Sequence, residues 1–393
     1  MSINVTLNRV ATPIDRGVFE ALFEQSVVSG YAPVKDALKS GSMPFSELVK
    51  MARKAEIPYA LFFAPPDVVE EQLSIKRNRL LDGFSAKREF AMNSRSRVDL
   101  SQVELIIKNL QYKQDYIKRD KTLGKNPIVG ILRKPGVSIE SDAAKLMTAL
   151  NLSPTEIRGT RKKGDALDVL VEKLESQHVL VAQSAKNYMP QQIPKGAIFS
   201  GMTLRDNKVP FIFITSGDEG EKFEPTGRRV FTLTLLAVLV ARGTFATVTY
   251  NGHTTDETSK REYELAAEIL MPEADFRRAD LSDIDAMQAA SDVFKVTPSA
   301  VVMRALRLKL LSREDAEVHL QALKDAFEKA EKPPRRSMLP MNALKKYNGL
   351  ECSRRMLALY DSASLNKTDF CRVMFSNTYR STRAINDFRA ALS

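Results

Sequence analysis

Apolar positions in this chain recur mostly at helical spacing, and the departures from that spacing mark its organisation. The most apolar run is Val230-Phe231-Thr232-Leu233-Thr234-Leu235-Leu236-Ala237-Val238-Leu239-Val240, closed by Arg229 and Arg242. At about 11 residues it falls far short of the roughly 20 that cross a bilayer, so it reads as a helix or strand buried on all sides. Upstream, Val179–Ala182 and Val209–Ile214 run apolar between Gly, Asn and Asp borders and predict strands, with a weaker strand over Ile198–Met202. Ala143–Leu152 and Ala166–Leu174 predict helices, and Val103, Ile106, Ile107, Leu110 and Ile117 form one amphipathic stripe. Downstream, Ile284–Lys309 reads as two helices with a tight turn at Lys295-Val296, where Thr297 suits an N-cap and Pro298 the first helical position.

The ends of the chain are helical by the same reading. Val18–Ser26, Pro33–Lys39 and a longer amphipathic stretch from Phe45 predict three N-terminal helices. A charged helix over Ser312–Lys332 leads into a Pro333-Pro334-Arg335-Arg336 linker, followed by helices over Leu350–Tyr360, Lys367–Phe375 and Arg380–Leu392. The expected fold class is α+β and mostly helical, a central domain with a small sheet flanked by all-α N- and C-terminal domains. The regions are drawn at 1–65, 66–135, 136–315 (with the helix pair at 284–310) and 316–393.

Composition narrows the class. Lys and Arg number 59 against 48 Asp and Glu, a formal charge of +11, which permits nucleic-acid or acidic partners without selecting them. Two cysteines, Cys352 and Cys371, exclude a disulfide framework and suit a reducing cytoplasm. The N-terminus lacks a basic region followed by an apolar one, so no secretory signal is read there, and no membrane association is expected. No Walker loop, Rossmann glycine fingerprint or Ser/His/Asp arrangement stands out.

Phe231-Thr232-Leu233 and Ala266-Ala267-Glu268-Ile269-Leu270-Met271-Pro272 together resemble the ImmA/IrrE family of zinc metallopeptidase-like proteins. The helix–strand–strand prelude follows that family's order, and the bihelical unit Ile284–Lys309 resembles its F-x-V-S-x-x-A-V-x-x-R-L helix pair. The resemblance implies a zincin-like central domain, and it places the family's first histidine at Leu235, its glutamate at Leu236, its second histidine at Leu239 and its third ligand near Ser259. Zinc needs two imidazoles one helical turn apart and a carboxylate to take a proton from the metal-bound water; leucine does neither. The scaffold is therefore expected without catalytic residues, metal or other cofactor. Of the three histidines, His253, in a polar loop near the third-ligand position, is the one weak candidate for a displaced metal ligand.

Further upstream, Ala37–Pro44 and Phe45–Phe63 resemble the end of a Cro-type helix-turn-helix. Only about seven residues separate the first two helices, too few for a supporting helix, a turn and a recognition helix. A packing or dimerisation module and a DNA reader remain as alternatives there. For the 284–310 pair, one reading puts Arg304, Arg307 and Lys309 against phosphates or base edges, and the other makes the pair structural. Arg161, Lys162 and Lys163 in a glycine-flanked loop, and the arginine-rich segment 77–97 with Phe84 and Phe90, are further candidates for nucleic-acid or partner contact. By resemblance the chain is a regulatory factor of the repressor, antitoxin or phage-defence type, taking a protein partner, DNA, or both, and forming a homodimer. An active peptidase with displaced ligands and a toxin or effector that reuses the scaffold are the alternatives.

Overall fold

The computed structural model describes residues 2–24, 26–84, 100–193, 199–216, 224–249, 260–329 and 338–392. Contacts divide the chain into two units: Met1–Gly83 with Asp99–Gln111 and Pro190–Pro194, and the remainder.

The first unit opens with a β-hairpin, β1 (Ser2–Leu7) against β2 (Val10–Asp15), antiparallel with Leu7 opposite Val10. Its two-residue turn, Asn8-Arg9, has positive φ at both positions (50° and 69°), the backbone twist that two-residue hairpins favour. Helices α1 (Arg16–Glu24), α2 (Ala32–Ser40) and α3 (Phe45–Lys54) follow, and β3 (Ser42–Pro44) pairs parallel to β1, giving the order β2-β1-β3. Gly41 ends α2 in the left-handed region (φ 71°), which a side chain would strain. Ile3 and Val5 send one face of the hairpin onto a core built on Phe19, Phe23 and Phe62, whose rings meet at 4.6–6.1 Å. Residues 26–31 form only turns and bends, with no helix between α1 and α2. Helix α4 (Pro66–Leu81) completes this part, and α5 (Glu104–Ile117) belongs to it as far as Gln111.

The second unit is mixed. Helices α6 (Ile139–Ala149), α7 (Pro154–Arg158) and α8 (Lys163–Ser176) precede strands β4 (Leu180–Gln183), β5 (Gly201–Leu204) and β6 (Phe211–Ile214). Then come α9 (Thr226–Arg242), β7 (Thr247–Val248), α10 (Lys260–Leu270) and α11 (Glu273–Phe276). The pair α12 (Ile284–Val293) and α13 (Pro298–Arg307) is followed by α14 (Arg313–Lys329) and by α15 (Pro340–Asn348), α16 (Leu350–Asp361), α17 (Lys367–Phe375) and α18 (Thr382–Ala390). The sheet runs β4-β6-β5-β7, parallel between β4 and β6 and antiparallel elsewhere.

Helix α9 is the centre of this unit. Twelve of its residues are buried, in a core shared with α8, α10 and the sheet. Each fully buried leucine contributes about 1.5–3 kcal/mol, so this one helix anchors a large share of the apolar core. Its C-terminal carbonyls are taken up from outside. The Gly130 and Leu132 N–H groups donate to Val240 and Ala241, while Gly243 (φ 73°) turns the chain away. At the other end Gly227 lies against the turn between α12 and α13, where a Cβ would meet the Val296 carbonyl oxygen at 2.3 Å. Thr297 caps α13 as its sequence position predicts, accepting from the Ala300 N–H, and Lys295 takes φ 60° in the turn.

The protein is α+β and mostly helical, with two small sheets. One expectation is corrected: the N-terminal region is not all-α, because residues 2–15 form a hairpin that β3 extends. Asn-Arg is not one of the turn pairs that advertise a hairpin, so the short strands carry little local signal. The weaker strand lies at Gly201–Leu204 rather than Ile198–Met202, and α15 adds a helix ahead of those the sequence predicts from Leu350 onward. No helix among the described residues is long and apolar enough to cross a membrane.

Candidate functional site

The three seats singled out on α9 are sealed. Leu235 is 1% exposed, and Leu236 and Leu239 are 0%. Leu236 packs so tightly on β5 that a Cβ at Gly201 would lie 2.8 Å from its Cδ1. No side chain at these positions can donate or accept a hydrogen bond, and none reaches solvent. Tyr263 on α10 stacks on Phe231 of α9, with ring centres 6.2 Å apart. His253 and Ser259 lie outside the described residues, as does most of the arginine-rich segment 77–97. Among the described residues no group of three or more His, Cys, Asp or Glu side chains is placed to hold a metal ion. His178 instead meets the Arg355 guanidinium through Nδ1 at 2.9 Å.

The basic candidates separate on burial. Arg304 is corrected: it does not face a groove but is 5% exposed and bonded to Glu268 of α10, itself 9% exposed. A guanidinium in that position cannot meet DNA without breaking a buried ion pair. Arg307 is partly buried over the Tyr263 ring, at 6.0 Å from its centre. Burial pulls its pKa below the usual arginine value, with Glu264 and Tyr263 pulling the other way. Lys309 is exposed at φ 58°, just past the helix end. The 158–164 loop also spends part of its charge internally. Arg158 pairs with Asp275 at 2.7 Å, and Lys163 pairs with Asp292 at 2.7 Å and donates to Ser291 Oγ at 3.2 Å. Lys163 thereby clamps α8 to α12. Arg161 and Lys162 stay exposed.

What the structure brings together is a cavity of about 300 Å³ at the start of α6, walled by α10, α11 and α13. Glu140, Glu264, Glu268 and Glu273 line it together with Arg304 and Arg307. Ser138, which closes the capping box at the N-terminus of α6, stands at its edge. The start of α6 is fixed to α10 by Arg261, which reaches the buried Asp142 at 2.7 Å, and Asp142 in turn accepts from the Gly136 N–H at 2.9 Å. Sequence reading missed the glutamates. The available signal was spacing: Glu264 and Glu268 are one turn apart on α10, and Arg304 and Arg307 one turn apart on α13, in helices otherwise apolar on their inner faces.

A second buried charge lies elsewhere in this unit. Lys113 on α5 is fully buried, its Nζ lacks a hydrogen-bond partner, and it sits 4.3 Å from the centre of the Tyr347 ring. Burial lowers its pKa from 10.5 to about 8. Between those two values the unfolded chain holds a proton that the folded chain has released, so stability rises with pH across that window. The gap corresponds to about 3 kcal/mol at about 1.4 kcal/mol per pH unit. The contact with Tyr347 offsets about 1–2 kcal/mol of that cost. Lys113→Met is therefore expected to stabilise the protein by about 1–2 kcal/mol at neutral pH and to flatten the alkaline rise. Urea unfolding at neutral pH and near pH 10 checks both.

Comparison with known proteins gives no match to a family model, to a curated protein or to a solved structure.

Proposed function

We propose that this chain is a non-catalytic regulatory or interaction protein built on a zincin-like scaffold of the ImmA/IrrE type, with its metal seats filled by leucine. The observation that carries the reading is the complete burial of Leu235, Leu236 and Leu239 on the helix at the centre of the core. Side chains that bind and activate a zinc-bound water must reach that water, and these three reach only neighbouring apolar atoms. The surrounding order of helices and strands supports the same scaffold. A binding role needs no such seats: Arg161, Lys162 and Lys309 remain exposed for an acidic partner or a phosphate backbone.

The partner on this reading is a protein, with operator DNA as a further one, as for a repressor, antitoxin or defence factor of a mobile element. The test has two arms on the full-length protein. Elemental analysis after purification without chelators is expected to find no stoichiometric zinc, and peptide hydrolysis is expected to be absent. Mobility-shift and cross-linking assays with the DNA upstream of its own gene and with the neighbouring gene products are expected to give a salt-sensitive complex. One bound zinc per chain together with chelator-sensitive hydrolysis would overturn the proposal. So would the absence of any complex with either class of partner.

A further inference from the structure

Helices α10 and α13 face each other across the acidic-and-basic cavity as two rungs of opposite charge. The inner rung is closed. Glu268 and Arg304 are in direct contact, both nearly sealed from solvent, and Glu268 also accepts from the Glu273 N–H at 3.2 Å. The outer rung is open. Glu264 and Arg307 line the same cavity and feel each other's charge, yet no direct ion pair joins them. The Nε of Arg304, buried and without a hydrogen-bond acceptor, is a further unpaired donor in the lining. A buried donor left unpaired is costly, and an open pair of opposite charges at a partly exposed rim is free to take up a ligand.

We propose that this cavity binds a free α-amino acid as its zwitterion. The guest's carboxylate accepts from Arg307, its ammonium donates to Glu264, and its side chain lies against Ile139 and Leu308. Charge decides the class of ligand. Of the lining carboxylates, Glu268 is taken up by Arg304 and Glu273 by Arg277; a simple anion would still be repelled by Glu264 and Glu140, and a simple amine would leave Arg307 without an anion. A molecule carrying both groups on neighbouring atoms closes the rung and adds no net charge. A peptide terminus supplies only one of the two charges at that spacing. Size agrees: about 300 Å³ is room for roughly ten waters at about 30 Å³ each, enough for one amino acid. The two apolar lining residues favour an aliphatic side chain over glycine. The inference goes beyond the proposed function and uses none of the seats on α9, so either can fail without the other.

The test is calorimetric titration of the full-length protein with L-leucine, 3-methylbutylamine and 4-methylpentanoate. The two analogues each keep one of leucine's charges. Leucine is expected to bind, and each analogue to bind at least about tenfold more weakly, since a charged hydrogen bond left unmade costs about 1.5–3 kcal/mol. Arg307→Met and Glu264→Gln, both at partly exposed positions, are each expected to weaken leucine binding by about tenfold or more. Their melting temperatures should stay within a few degrees of the parent's. No heat with leucine at millimolar concentration overturns the proposal. So does an analogue that binds as tightly as leucine, which would leave a plain anion or amine site, or full leucine affinity in both variants.

Discussion

Leu236→Glu is expected to unfold the second unit at neutral pH, with a loss of stability of at least about 5 kcal/mol. The side chain is 0% exposed, sits in the largest core cluster and packs against β5 at Gly201. A carboxyl group buried there without a partner would have its pKa raised by about 3–5 units; the folded group then stays largely protonated at neutral pH, so ionisation linkage costs about 3–4 kcal/mol there. Loss of the leucine's own burial adds to this, against a total stability of about 5–15 kcal/mol for a typical domain. The sign with pH follows from linkage. The unfolded chain releases the proton in the ordinary carboxylate range and the folded chain holds it, so the penalty grows as pH rises and shrinks in acid. Leu236→Met, which keeps volume and polarity, is expected to cost less than about 1.5 kcal/mol. Urea unfolding followed by circular dichroism separates the two variants. A folded Leu236→Glu protein with the parent's midpoint would mean that this seat is open to water, and the proposed loss of catalytic function would lose its main support.

The second large effect is expected at Arg304. Arg304→Ala removes the guanidinium that Glu268 contacts and leaves a nearly sealed carboxylate with only the Glu273 N–H to bond. Breaking a buried pair on one side costs about 3–5 kcal/mol. Replacing both partners by apolar groups, as in Arg304→Met with Glu268→Leu, is expected to recover most of that loss, because neither charge is then stranded. A DNA contact at Arg304 predicts the opposite pattern: Arg304→Ala would weaken DNA binding and leave the unfolding midpoint unchanged.

The two positions illustrate how unevenly the chain declares itself. Leu236 was legible because burial follows from composition: an unbroken apolar run with charges at its ends has nowhere to go but the core. Arg304 was not. It stands three residues from Arg307 on an amphipathic helix, a spacing that fits a phosphate-facing surface as well as an inward ion pair. Its partner lies 36 residues away, on a helix whose orientation no local pattern specifies. The basic loop gives the same lesson. Lys163 reads as a contact candidate beside Arg161 and Lys162, but its partner Asp292 lies 129 positions downstream, and the neighbouring Arg158 meets Asp275, 117 positions downstream.

The sequence by itself determined what local physics encodes: the buried character of α9, the strands β4 and β6, the Thr297 cap with its turn, and an α+β chain that is mostly helix. Tertiary structure alone decided the N-terminal hairpin and its parallel partner β3, the inward turn of Arg304, and the meeting of α6, α10, α11 and α13 around one charged cavity. Hydrophobic period and capping act over a few residues and so can be read along the chain. Which charge meets which depends on the packing of helices far apart in sequence, and that is fixed only when the core closes.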